Sequence, residues 1–225
     1  IMALNINGTT GISGVEGSVS APVLTGTDSN CGISFPAADT IKFSTGGVER
    51  MQITNSGVTG TGIGAGKILQ VQQTHYSDLL SNSTASGGEW APSQLNCSIT
   101  PSATNSKVLI TAKVAVGFEI NTRRVFMKAY RDSTEIAQGD AAGNVVGSYS
   151  RAASAVDIRY SDVVADIVFQ FLDSPNTTSA TTYSFRFFHS QTATAIIYIN
   201  RAHTITDRFQ DAFLSSNVTL QEVGA

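Results

Sequence analysis

Glycine and aromatic residues divide this 225-residue chain in two. Thirteen of its 20 glycines precede Lys67, but only two of its 18 aromatics do, Phe35 and Phe43. A core at native packing density needs large side chains in number, and residues 1–66 do not carry them. What they carry is a series of short extended pieces broken by Gly, Asn, Asp or Ser: Leu4-Asn5-Ile6, Pro22-Val23-Leu24, Thr40-Ile41-Lys42-Phe43-Ser44 and Met51-Gln52-Ile53. Disorder is the alternative, and low charge with strand-like apolar spacing argues against it. Such strands fold if several copies wrap around one another and share a thin core. Residues 1–66 therefore read as an intertwined, Gly-rich β shaft.

From Lys67 the pattern changes to long alternating strands. Lys107 to Phe118 places Val108, Ile110, Ala112, Val114, Val116 and Phe118 on one face, a period of two. Val163 to Leu172 puts Val163, Ala165, Ile167, Phe169 and Phe171 on one side. Its other side, with Val164, Val168 and Leu172, is half apolar, which predicts a strand buried on both faces or lying at a subunit contact. Tyr183 to Phe188 and Ile196 to Ile199 are further strands. Val125 to Arg131 leads through Asp132-Ser133 towards Ile136 as a hairpin. Leu95 to Ile99 and Val218 to Val223 flank the set, and Thr206 to Leu214 hints at a helical turn. The expected fold is all-β: a shaft over 1–66 followed by an antiparallel, jelly-roll-like β-sandwich knob over 67–225, assembled as a trimer.

Charge narrows the partners. Lys and Arg total 14 against 17 Asp and Glu, a net charge of −3, so no basic excess is present to hold nucleic acid. No apolar run reaches the length of a membrane-spanning helix, and no membrane insertion is expected. The opening segment has neither a basic stretch nor an apolar one of the signal-peptide kind. Cys31 and Cys97, 66 residues apart, fit free thiols in small buried slots better than a disulfide framework or zinc site. Five Asn-x-Ser/Thr sequons, at Asn7, Asn82, Asn96, Asn176 and Asn217, carry little weight in a chain so rich in Ser and Thr.

The search for chemistry comes back empty. Gly60 to Lys67 resembles a phosphate loop, but Thr61 and Ile68 stand where glycine and a hydroxyl residue are required, and the dinucleotide pattern fails too. The stretch reads as a hinge between the two regions. His189 alternates in phase with Tyr183, Phe185 and Phe187, as a core or subunit-interface residue would. His203 and Asp207 lack a visible third metal ligand. Asp157, Asp162, Asp166 and Asp173 share no spacing that would pair two carboxylates. No catalytic residue, metal or cofactor is expected, and the chain does not read as an enzyme.

Binding is better served. Tyr149, Arg151, Arg159 and Tyr160 lie among small residues between Gly143 and Tyr160, and aromatic faces beside planar polar groups suit sugars, although packing at strand ends is the preferred reading of Tyr149 and Tyr160. Trp90, between Ser86-Gly87-Gly88-Glu89 and Ala91-Pro92, is either an exposed platform or, preferably, a cap on the sandwich. Arg123-Arg124 reads as a solvated turn.

Several stretches resemble a known family. Met2 to Gly14, Gly26 to Phe35, Asp39 to Met51 and Asn55-Ser56-Gly57 look like shaft sequence of tailed-phage fibre proteins, particularly those of aquatic phages. The Lys107-Val108-Leu109-Ile110 strand, the Tyr130-Arg131-Asp132 hairpin, the Phe171 to Pro175 turn and Tyr198-Ile199-Asn200-Arg201 are similar to a domain common at the ends of such fibres. The resemblance implies a virion-borne homotrimer, a tail fibre in preference to a capsid-bound head fibre or decoration protein; outside it, the alternative is a non-phage carbohydrate-binding or C1q-like interaction module. Its N-terminal region would contact other tail or capsid proteins, and its C-terminal knob would contact a host-surface glycan. It carries over no receptor residue.

Overall fold

The computed structural model describes residues 5–7, 11–13, 17–25, 27–60, 67–140, 151–206 and 213–224. The expected hinge over 61–66, Tyr149, Asp207 and most of the expected turn at 206–214 lie outside them. The chain divides into two compact units, Ile1–Lys67 and Ile68–Ala225.

In the N-terminal unit, β1 (Asn5–Asn7) pairs with β2 (Gly11–Ser13). A five-stranded antiparallel meander follows: β3 (Leu24–Thr25), β4 (Gly32–Ala37), β5 (Thr40–Thr45), β6 (Val48–Thr54) and β7 (Gly57–Thr59). Gly46 and Gly47, with φ of +61° and +72°, make the two-residue turn between β5 and β6, where a side chain would be strained. Directly paired residues share a face, and the register sorts the two faces by polarity. Leu24 faces Ile33, Ile33 faces Phe43, and Phe43 faces Met51; Ile41 faces Ile53, and Ile53 faces Val58. The opposite face carries Ser34, Lys42, Gln52 and Thr59, with Lys42 paired to Glu49 at 2.6 Å. None of the seven apolar residues is fully buried, and Leu24 and Val58 are each 45% exposed. The strands thus pair with neighbours in their own chain, and their apolar face is left partly exposed.

The C-terminal unit is an antiparallel β-sandwich. One sheet contains β8 (Ile68–Tyr76), β9 (Leu80–Thr84), β11 (Lys107–Phe118), β15 (Ala165–Asp173), β17 (Ala195–Ile199) and β18 (Ser216–Val223). The other contains β10 (Cys97–Ile99), β12 (Arg123–Arg131), β13 (Thr134–Ile136), β14 (Ser154–Ile158) and β16 (Thr181–His189). A short 3-10 turn, Ser93–Leu95, precedes β10. The inward residues of β11 meet Val125, Met127 and Ala129 of β12 and Tyr183, Phe185 and Phe187 of β16 in one core. Cys97 joins that core, whereas Cys31 is only half-buried, its Sγ 3.2 Å from the Gly46 N–H and 3.2 Å from Asp28.

The β11 strand organises its sheet. One edge pairs with β15 over Val108–Val116; the other pairs first with β18 (Lys107–Lys113) and then with β17 (Val116–Phe118). The sheet forks there, into β18–β8 and β17–β9. Asn200, left-handed at φ +64° and fully buried, closes the fork. Its amide donates to the carbonyls of Tyr76 (3.0 Å) and Asp78 (2.9 Å), and its Oδ1 accepts from Ser216 Oγ at 2.6 Å. Its backbone N–H donates to Ala115 O at 2.9 Å.

One expectation narrows to its subunit-contact alternative, and one needs correcting. The second face of β15 is not buried within the chain: Val168 is 60% and Leu172 45% exposed, and Val164 is half-buried. Among the described strands, β15 pairs with β11. Arg123-Arg124 is not a turn but the start of β12.

Candidate binding groove

Three segments meet at one end of the sandwich. The β11–β12 connection brings the chain to Arg123 through Thr122, left-handed at φ +55°. Thr122 N–H donates to Arg159 O at 3.2 Å, and Ser161 N–H to Asn121 Oδ1 at 2.6 Å, which fastens the segment after β14. Ser190 N–H donates to Arg124 O (3.1 Å), while Ser190 Oγ accepts from Arg124 N–H (3.0 Å), fastening the segment after β16. Between them lies an open groove of about 620 Å³, lined by Arg123, Arg124, Asp157, Arg159, Tyr160 and Gln191 among others. A smaller hollow of about 270 Å³ continues it past Phe126 to Ser86 and His189.

The side chains are arranged as hydrogen-bond donors. Arg124 Nε meets Asp157 Oδ1 at 2.8 Å, with both side chains mostly exposed. Arg123 is half-buried; its Nε lies 3.4 Å from Gln191 Oε1, and its Nη1 donates to Thr122 O at 3.2 Å. That leaves three of its five N–H groups open. Gln191 Oε1 also accepts from Thr192 N–H at 3.0 Å, which leaves the Gln191 amide N–H₂ as a donor. Arg159 is exposed and makes no side-chain bond to another described residue. Tyr160 is 62% exposed.

A rigid floor lies beneath. Phe126 stacks on Phe188 with ring centroids 4.9 Å apart and planes 15° from parallel. Next along the same face, buried Lys128 is held by Glu89 at 2.6 Å and Glu135 at 3.6 Å. Arg186 joins Glu89 at 3.3 Å and lies 3.8 Å over the Tyr130 ring. Burial pushes the Glu89 carboxyl up, but the Lys128 and Arg186 charges outweigh it and hold the group below its ordinary range. Burial pushes the Lys128 ammonium down, but Glu89 and Glu135 outweigh it and raise the group above its ordinary range.

The structure brings together only part of the site expected from sequence. Arg159 and Tyr160 line the groove; Arg151 sits at the far end of β14, with its Nε on Gly139 O at 3.1 Å. Trp90 is half-buried against the core, exchanging backbone bonds of 2.8 Å with Phe187, its ring centroid 6.3 Å from that of Phe187. His189 is buried, with Nε2 2.9 Å from Thr84 O. The groove residues that sequence reading missed are Arg123, Arg124 and Gln191. Nothing local marks them, because 33 positions separate Arg124 from Asp157 and 68 separate Arg123 from Gln191. Among the described residues, no three His, Cys, Asp or Glu converge as metal ligands.

No protein-family model and no curated protein matches the chain. Among solved structures, it is similar to the VP2 subviral particle of infectious bursal disease virus, at 12% identity over 69% of this chain and 38% of that one, TM-score 0.36. It is also similar to the Gx strain of that virus, at 10% identity over 93% and 54%, and to T=1 particles derived from it, at 10% over 85% and 45%, both with TM-scores of 0.36. The chain thus spans between 38% and 54% of the length of those chains. Likenesses this loose say nothing of what the chain does.

Proposed function

We propose that this chain is a virion structural protein, the subunit of a homotrimeric tail fibre of a tailed phage. It attaches to the particle through residues 1–66 and binds a host-surface glycan through the sandwich. The observation that carries the binding half is the groove at Arg123, Arg159 and Tyr160, an exposed aromatic ring among planar donors over an apolar floor. Its position supports the same reading. Ile68, where the chain enters the sandwich, is paired with Val223, and Val223 with Lys107, so entry is at the Lys107 end of β11. The groove is at the Phe118 end, roughly 40 Å away along twelve residues of strand.

The trimer half is supported by the partly exposed apolar face of β3–β7 and by exposed Val168 and Leu172 on β15. Multivalent contact would then raise weak single-site affinity through effective concentration. The test is native mass by light scattering, on the full chain and on one beginning at Lys67, combined with a glycan array. A species near three times 23.6 kDa that binds glycan is the expected outcome. A monomer in both would overturn the fibre reading.

A further inference from the structure

We infer that the groove takes an anionic saccharide, one bearing a carboxylate or sulfate, rather than a neutral one; the inference rests on the glycan-binding reading above. The chain has 14 Lys and Arg in 225 residues and a net charge of −3, yet three of its arginines line this one groove against a single lining carboxylate, Asp157. Asp157 is engaged with Arg124 at 2.8 Å. The remaining two guanidiniums are Arg123, positioned by Gln191 and Thr122, and Arg159, which binds no other described side chain.

The open groups of fixed hydrogen-bonding sense are mostly donors, the N–H groups of Arg123 and Arg159 and the amide N–H₂ of Gln191, beside the Thr122, Tyr160, Ser190 and Thr192 hydroxyls, which act either way. A neutral sugar presents hydroxyls that both donate and accept, and it would leave the positive charge of three arginines against one carboxylate unmatched. A carboxylate or sulfate is all acceptor, and its paired oxygens match the guanidinium fork. The Tyr160 ring, exposed beside Arg159, offers a flat face for the sugar ring carrying that anion. Arg123 and Arg159 are thus specificity-determining residues, and Tyr160 supplies affinity common to charged and neutral sugars.

The experiment is titration calorimetry on the full chain with three monovalent probes: an oligogalacturonate, a sulfated galactose oligosaccharide and a maltooligosaccharide. At least tenfold tighter binding of one anionic probe over the neutral one is expected, weakening as salt rises. Which of the two binds tighter identifies carboxylate or sulfate as the anion. Arg159→Gln and Arg123→Gln should each remove most of that preference, the anionic probe losing at least about fivefold more affinity than the neutral one. Tyr160→Ala should weaken all probes alike, and Arg151→Gln, outside the groove, should change nothing. Equal affinity for charged and neutral probes, or a preference untouched by the two arginine variants, would overturn the inference and leave glycan binding standing. No binding of any probe, and none on the array, would overturn both.

Discussion

Glu222 shows how much one side chain can hold in a chain so poor in charge. It is fully buried near the end of β18. Its Oε1 accepts from Ser102 N–H (2.7 Å) and Ser102 Oγ (2.6 Å), and its Oε2 from Gln70 Nε2 (2.6 Å). Burial pushes the carboxyl up, but these bonds and one from Ser106 outweigh it and hold the group at about 2. A carboxyl lowered on folding stabilises the fold at pH above its unfolded value, 4.5 here, and that contribution is lost as pH falls towards 2. It amounts to roughly 3 kcal/mol. Acid unfolding of wild type should therefore steepen below pH 4.5, and Glu222→Gln should flatten the curve there while lowering Tm at pH 7. A parallel pH dependence in both proteins would refute the assignment. Asn200 is the second such residue: Asn200→Ala strips Tyr76 O, Asp78 O and Ser216 Oγ of a buried partner at once. Denaturant unfolding should show a loss of about 3 kcal/mol, at roughly 1 kcal/mol or more for each orphaned group.

At the scale of elements, what could be read in advance was what alternates. β11 ends where the alternation of Lys107 to Phe118 ends, because six apolar side chains at period two can bury only one face of one strand. The hairpin through Asp132 was legible for the same reason, and Asp132 takes its left-handed φ of +51°. β8 was not: Gln70, Gln72, Gln73 and His75 hide a strand paired along its length to β18. β4, β9 and β14 are also too short or polar to announce themselves. In the groove, Arg159 and Tyr160 could be suspected from composition, but their partners come from β12 and from the segment after β16, which only pairing registers bring near. The β15 face remains an element-level question. Val168→Asp should separate the sandwich units without lowering their melting temperature, since Val168 contributes nothing to the internal core. An unchanged native mass would exclude that face from assembly.

For the molecule as a whole, the glycine-rich third and the aromatic-rich remainder meet the problem of core size differently. The sandwich closes on itself: two sheets supply a shared interior that contains Phe118, Tyr183, Phe185 and Phe187. The meander has a single sheet, with Ile33, Phe43, Met51, Ile41 and Ile53 on one side, none of them fully buried. If the chain assembles through this face as proposed, Phe43→Asp should lower the native mass in light scattering, while the calorimetric transition of the sandwich stays in place. Loss of both together would mean that the two units fold as one. The end-to-end arrangement of the sandwich also has a mechanical consequence. A pull between a ligand in the groove and the chain at Ile68 runs along the strands, and its first resistance is the β8–β18 ladder. Antiparallel bonds lie across that direction, so the load falls on the whole ladder in shear instead of opening it one bond at a time. A subunit tethered at Ile68 and held at Tyr160 is loaded along its strongest axis.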